Sequence, residues 1–301
     1  MQTVGRFAPS PSGRMHLGNV LCALLAWLSA RHQNGAFLLR IEDLDAMRCP
    51  RSYADLIMDD LRWLGLDWDG EVPYQSERAP IYEKYEQILR EKGLLYPCFC
   101  SRAALHAASA PHLSDGRVLY AGTCRNLTDA QRAAKTKTPC WRVAVPDEDV
   151  SFTDGLQGAY TQNLARGSGD FIVRRADGVY AYQLAVVTDD AQAGVTQVVR
   201  GSDLLSSTPR QIWLQRQLGF PEPGYYHVPL LVAPDGRRLS KREKDLDMGA
   251  LRNRYTPEQL LGMLAHACGL LSHNESVRAG ELAGEFSWQM VQKENIVITN
   301  P

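Results

Sequence analysis

The stretch RFAPSPSGRMHLGN, residues 6–19, decides the fold. Two prolines, two serines and two glycines interrupt the chain there. Before them, Thr3 to Phe7 reads as a short strand; after them, His16 to His32 carry apolar residues at helical spacing up to a stop at Asn34-Gly35. A strand, a tight Pro/Ser/Gly loop and a helix start suit an anion, because unpaired backbone N–H groups and the helix dipole both point at the loop. Phosphate is the natural occupant. Gly13 and Gly18 let a ligand approach the backbone, and His16 and Asn19, one helical turn apart, can face one pocket. Taken alone, the same residues would also serve as ordinary helix capping.

Outward from this loop the alternation continues. AFLLRIEDLD, from Ala36, is a mostly apolar strand that ends abruptly in carboxylates. Ser52 to Leu64 predicts a helix with Leu56, Met58, Leu61 and Leu64 as its buried face and Gly65 as its stop, and Ile81 to Lys92 repeats the pattern before Gly93. Strand, helix, strand, helix implies a parallel sheet with covering helices. Near Pro97 the rhythm breaks. WRVAV, VSFTD, GAYTQ and the pair FIVRR and VYAYQ, joined by Ala176-Asp177-Gly178, predict antiparallel hairpins in an insertion. The alternation resumes with VTQVVRG, a helix from Thr208 to Leu218 and the apolar YYHVPLLV. After residue 240 the chain turns helical, with Thr256-Pro257-Glu258-Gln259 supplying a cap residue, a first-turn proline and a capping-box glutamine. The expected organisation is residues 1–96 and 181–243 as two halves of one α/β unit, 97–180 as the insertion and 244–301 as a small helical unit.

Composition bounds the function. With 301 residues, 45% of them hydrophobic and 22% charged, the chain can bury a substantial core. A net charge of −1 leaves any nucleic-acid contact to local basic patches. The N-terminus lacks the basic start and apolar run of a signal peptide, and the longest apolar stretch, Val20 to Leu28, is too short to span a bilayer, so a cytoplasmic location with no membrane partner is expected. Seven cysteines without a secretory signal imply reduced thiols. Cys98, Cys100 and Cys124 form a candidate soft-metal cluster; by spacing the fourth ligand is His106, His112 or Tyr120, with histidine favoured by zinc's usual ligands. Cys22, Cys49, Cys140 and Cys268 stand alone and read as packing residues.

A second stretch, PDGRRLSKREKD, Pro234 to Asp245, is a turn followed by a dense cationic loop with Ser240-Lys241 at its centre. Most such charge runs are solvated surface. Paired with His-Leu-Gly-Asn after Pro-Ser-Pro-Ser-Gly, however, it resembles the two signature motifs of class I aminoacyl-tRNA synthetases, HIGH and KMSKS. RFAPSPSG, RIEDLD, YQSERAPIYEKY and GVTQVVRGSDLLSSTPRQ narrow the resemblance to the glutamyl-tRNA synthetase group.

The resemblance implies an α/β class I synthetase fold: a Rossmann-type parallel sheet interrupted by a zinc-containing α+β insertion, followed by a small C-terminal helical unit. It implies ATP-dependent activation of L-glutamate, with Mg²⁺ accompanying ATP. His16 and Lys241 would be the catalytic groups. His16, Gly18, Asn19, Ser240 and Lys241 would bind ATP, while Arg6, Phe7, Ala8, Pro9, Ser10, Glu42, Tyr182 and Arg200 would bind glutamate. Arginine forks suit the two carboxylates of the substrate, and Glu42 suits its ammonium. Cys98, Cys100, Tyr120 and Cys124 would hold one structural zinc, a ligand set found in short paralogues of the group. Two positions depart from the pattern: Arg238 replaces the first lysine of KMSKS, and Val186 replaces a common asparagine, which implies a looser glutamate pocket. Only about 60 residues follow the Lys241 loop, so no anticodon-binding domain is expected. That shortening, with the Cys-Cys-Tyr-Cys set, resembles paralogues that transfer glutamate to the queuosine at the wobble position of tRNA(Asp). Charging the 3′ end of a tRNA, small-molecule nucleotidyl transfer and non-catalytic tRNA binding are the alternatives.

Overall fold

The computed structural model describes residues 2–101, 119–237 and 247–298. The first part of the chain gives β1 (Val4–Phe7), α1 (Leu17–His32), β2 (Ala36–Leu39), α2 (Arg51–Trp63) and α3 (Ala79–Glu91). The middle gives β3 (Leu95–Cys98), α4 (Asp129–Ala133), β4 (Cys140–Val143), β5 (Asp149–Asp154), β6 (Gly158–Asn163), α5 (Leu164–Gly167) and β7 (Phe171–Arg174). Next come α6 (Tyr182–Gln192), β8 (Gln197–Gly201), α7 (Thr208–Leu218), β9 (Gly224–Val228) and β10 (Leu231–Val232). The described chain closes with α8 (Met248–Leu251), α9 (Pro257–Ala267), α10 (Ala279–Glu285) and β11 (Ile296–Val297).

Two strand–helix–strand units carry the site. β1 pairs in parallel with β2, Val4 opposite Ala36 and Phe7 opposite Leu39, while β8 pairs in parallel with β9, Arg200 opposite His227. The pairs are joined at their inner strands: the Thr196 N–H donates to the Val4 carbonyl at 3.0 Å, and the Val4 N–H to Thr196 Oγ1 at 2.9 Å. β1 and β8 are therefore neighbours from which the chain winds outward in opposite directions. Loops leaving their carboxyl ends diverge and open a crevice there. α1, buried along most of its length, packs against β1 on one side and α10 on another. β10 and β11 form a further parallel pair.

The middle of the chain is antiparallel, with strand order β3-β4-β7 and a separate β5–β6 hairpin. Gly155 marks the seam between this hairpin and the parallel unit. A β-carbon there would lie 2.1 Å from the Tyr226 ring, so only glycine permits the approach.

Three sequence expectations are corrected. The apolar strand from Ala36 ends at Leu39; the RIEDLD segment leaves it, and Ile41 makes only an isolated bridge to Tyr74. Of the expected buried face of α2, Leu61 and Leu64 are buried but Leu56 and Met58 only half-buried, and Ala54, Ile57 and Asp60 are buried in addition. VYAYQ returns antiparallel to FIVRR only as far as Ala181. The Arg175 N–H donates to the Val179 carbonyl and the Ala181 N–H to the Val173 carbonyl, each at 2.8 Å, around an Arg174–Tyr180 bridge; the chain then enters α6 at Tyr182, where every residue from Leu184 to Asp190 is buried.

Asp60 has a structural task. Wholly buried, it accepts Arg14 Nη2 at 2.8 Å and Arg252 Nη1 at 2.9 Å, tying the loop before α1 to the chain just past α8. Asp60→Ala leaves two partly exposed guanidiniums without their shared acceptor. A loss of about 1–3 kcal/mol is expected, read as a lower urea midpoint at an unchanged m-value.

Candidate active site

The crevice at the ends of β1 and β8 holds a cavity of about 460 Å³. Its first wall is the loop after β1. Pro9 and Pro11 exclude helix there, and Gly13 adopts φ 153°, a left-handed-side conformation that favours glycine. The loop delivers His16 as the N-cap of α1: His16 Nδ1 accepts the Gly18 N–H at 3.1 Å, and Asn19 Oδ1 accepts the His16 N–H at 3.1 Å. An accepting Nδ1 puts the proton of the neutral ring on Nε2, which can donate to a phosphate oxygen.

Every sequence-predicted ATP or glutamate residue among the described residues lines this one cavity. These are Arg6, Phe7, Ala8, Pro9, Ser10, His16, Gly18, Asn19, Glu42, Tyr182 and Arg200. Ser240, Lys241 and the departing Arg238 lie outside the described residues, as do His106 and His112. Val186 is buried in the apolar cluster behind the cavity and does not line it.

A buried ionic network supports one side. Arg40 donates to Asp190 at 2.6 Å and to Glu42 at 3.2 Å; Arg6 Nε lies 3.3 Å from Asp190, and its Nη1 donates to the Val199 carbonyl at 3.2 Å. Asp189 accepts from Arg78 at 2.7 Å, from Gln75 at 2.8 Å and from Tyr82 at 2.8 Å. Burial pushes the Glu42 carboxyl above its ordinary range, with Arg40 opposing. For Asp190 burial also pushes upward, but Arg40 and Arg6 prevail and hold it below that range. Sequence reasoning did not reach Arg40, Asp189 or Asp190. A signal existed, because an Asp-Asp pair inside the apolar run LAVVTDDAQ can be buried only against cations.

The Arg200 side is built differently. Its guanidinium donates to His227 Nε2 at 3.0 Å, to Gln211 at 2.7 Å and to Thr208 Oγ1 at 2.8 Å. Burial pushes the Tyr182 hydroxyl upward, so it is neutral at pH 7. Asp203, Cys22 and Leu230 also line the cavity and were not singled out as site residues. The Cys22 thiol is pushed up to about 11 by burial and is a poor nucleophile there.

The second constellation lies in the antiparallel part. Sulfurs of Cys98, Cys100 and Cys124 all fall within 4.8 Å of one another. The Tyr120 hydroxyl stands 3.4 Å from Cys98 Sγ and 4.0 Å from Cys100 Sγ, and it accepts the Cys124 N–H at 2.8 Å. Cys140 is not isolated, as its sequence position implied: the β3–β4 register sets it opposite Cys98, and its thiol donates to the Cys98 carbonyl at 3.4 Å. Three converging thiols with a phenolic oxygen are a soft-metal donor set.

The pattern of the tRNA synthetases class I (E and Q) catalytic domain matches residues 2–300. The chain is 50% identical over 309 aligned positions to the glutamyl-Q tRNA(Asp) synthetase of Symbiobacterium thermophilum, covering 98% of this chain and 95% of that one. It is 46% identical to the protein of the same name from Neisseria meningitidis, covering 99% of each. In structure it is similar to the glutamate tRNA ligase of Elizabethkingia meningosepticum, with a TM-score of 0.85 at 27% identity, covering 99% of this chain and 67% of that one. The glutamate-tRNA synthetase of Elizabethkingia anophelis gives a TM-score of 0.86, also at 27% identity, covering 68% of that chain. No helix among the described residues is long and apolar enough to cross a membrane.

Cys100→Ser removes one of the three thiolates. Elemental analysis of purified protein is expected to find bound metal well below the wild-type level, and an unchanged content would rule the cluster out.

Proposed function

The chain belongs to the class I tRNA synthetases (E and Q), and from that membership we propose that it activates L-glutamate with ATP and transfers it to queuosine at the wobble position of tRNA(Asp). The observation that carries the reading is the gathering of Arg6, Arg200, Glu42 and His16 around one cavity. Two guanidiniums and one carboxylate there complement an amino acid with two carboxylates and one ammonium. Residues 1–96 and 181–243 form the catalytic unit in this reading, 97–180 the insertion and 244–301 a helical unit.

In the first step a glutamate carboxylate oxygen attacks the α-phosphorus of ATP. The bond to the bridging oxygen breaks, pyrophosphate leaves, and glutamyl-adenylate remains. The nucleophile is already an anion, so alignment and charge stabilisation matter more than a general base. Arg6, Ala8, Ser10, Glu42, Tyr182 and Arg200 hold glutamate, with Phe7 and Pro9 shaping the loop. His16, Gly18, Asn19, Ser240 and Lys241 hold ATP, and His16 Nε2 and Lys241 Nζ meet the negative charge that moves toward pyrophosphate. Chain connectivity supports this placement. Asp247 bridges to His16, and the Met248 N–H donates to the Met15 carbonyl at 2.9 Å. Lys241 stands six residues before Asp247 in the sequence. Mg²⁺ arrives with ATP. In the second step a queuosine hydroxyl attacks the adenylate carbonyl, forming an ester and releasing AMP.

Cys98, Cys100 and Cys124, with Tyr120 as fourth ligand, hold one zinc ion. A site closed by four protein ligands is structural. It fixes the insertion and takes no part in the chemistry.

Labelled glutamate incubated with ATP and tRNA(Asp), with and without queuosine, tests the transfer. Label is expected only on queuosine-containing tRNA(Asp), in an alkali-labile ester; label on the 3′ end of tRNA(Glu) would establish the ordinary charging reaction instead. Lys241→Ala is expected to lower adenylate formation at least about a hundredfold with the fold intact, and near-normal pyrophosphate exchange by that variant would refute its role.

A further inference from the structure

Arg6 and Arg200 line one cavity but are held by different kinds of partner. Arg6 lies against a carboxylate, Asp190, at 3.3 Å. The Arg200 guanidinium instead donates to three uncharged groups, His227, Gln211 and Thr208. A guanidinium has five N–H donors. Those three contacts occupy three of them, and two remain for a ligand in the cavity that Arg200 lines.

The contact to His227 fixes more than a distance. Because Arg200 Nε can only donate, His227 Nε2 must accept, and the ring proton is therefore on Nδ1. Nδ1 faces Asp154 Oδ2 at 2.5 Å, so Asp154 selects this tautomer. Asp154 itself is held by three backbone N–H groups, from Leu156 at 3.0 Å, Gln157 at 2.8 Å and His227 at 3.1 Å. Both side chains are wholly buried, and the His227 ring stacks on Tyr225 at 13° between planes. Burial, with Arg200 adding to it, pushes the imidazole below its ordinary value against the pull of Asp154, so the ring is neutral at pH 7.

We propose that Asp154 and His227 are positioning residues for Arg200: they lock its guanidinium plane through a neutral acceptor, so that it keeps its full charge for a carboxylate of the glutamate substrate. A carboxylate in direct contact would orient Arg200 equally well but would compete with the substrate for its charge. Placing an imidazole between the two separates orientation from neutralisation. Asp154 ends β5, a strand of the middle segment, so one determinant of amino acid recognition comes from outside the two strand–helix–strand units.

The inference rests on the functional reading above and falls with it if wild-type protein performs no glutamate-dependent pyrophosphate exchange. Given wild-type exchange, KM for glutamate and for ATP is measured in His227→Ala, His227→Gln and Asp154→Asn, with thermal unfolding as the folding check. Glutamate KM is expected to rise at least about tenfold in His227→Ala, with ATP KM within about twofold of wild type. His227→Gln, whose amide oxygen can still accept from Arg200, is expected to recover part of that loss. Should His227→Ala not fold, the other two variants carry the test, each with a selective rise in glutamate KM. An unmoved glutamate KM, or equal rises for both substrates, overturns the assignment.

Discussion

Arg40 is the constraint on which the site depends. Its guanidinium, almost wholly buried at the end of β2, lies 2.6 Å from Asp190 of α6 and 3.2 Å from Glu42. Burial works against the cation, but Asp190, Glu42 and Asp189 outweigh it and raise its pKa. Such clusters add little net stability, because desolvation consumes most of the attraction. Their effect is positional. Arg40 and Asp190 are 150 residues apart in sequence, so their bond ties the end of β2 to α6 and sets the carboxylate against which Arg6 is oriented. Arg40 also opposes the burial that pushes the carboxyls of Asp190 and Glu42 upward.

The cavity is consequently graded in charge. Glu42 keeps one oxygen on Arg40 while its carboxyl is pushed upward by burial, so an incoming ammonium would stabilise its ionised form. Arg6 is partly compensated by Asp190; Arg200 is held by neutral acceptors. Two guanidiniums held in different ways and one carboxylate, all lining one cavity, are what the proposed acidic amino acid would meet. An uncharged amide side chain would leave the Arg200 donors facing a weaker acceptor.

Much of this was legible in the sequence because its signals are local. Proline, serine and glycine between an apolar strand and an apolar helix place His16 at a helix cap with no tertiary information, and the alternation beyond it yields the parallel unit. What escaped was the burial of charge. Asp60, Asp154, Asp189 and His227 look like surface residues until the fold supplies partners from distant segments, and no local period encodes those partners. The reading of VYAYQ as a strand holds only to Ala181, because its alternating aromatics give no sign of the helix that starts at Tyr182 and buries Leu184 to Asp190. Cys140 seemed isolated because strand register, not spacing, sets it opposite Cys98. The residues of the proposed glutamate pocket came from family resemblance, as no spacing rule links Arg6 to Tyr182 and Arg200.

The middle segment bears on the cavity at two points, and both are strand ends. Asp154 closes β5 beside His227, and the Gly155 N–H donates to the Tyr225 carbonyl at 2.8 Å, so the hairpin turn is laced to β9 directly behind Arg200. β7 pairs with β4, β4 with β3, and β3 ends at Cys98 of the thiol cluster. From β7 the chain passes through Tyr180 into α6, which presents Tyr182 to the cavity and Asp190 to Arg40. The thiol cluster is thus connected to the start of α6 through two strand pairings, and strand register, which moves only in whole-residue steps, links the position of Cys98 to that of Tyr180.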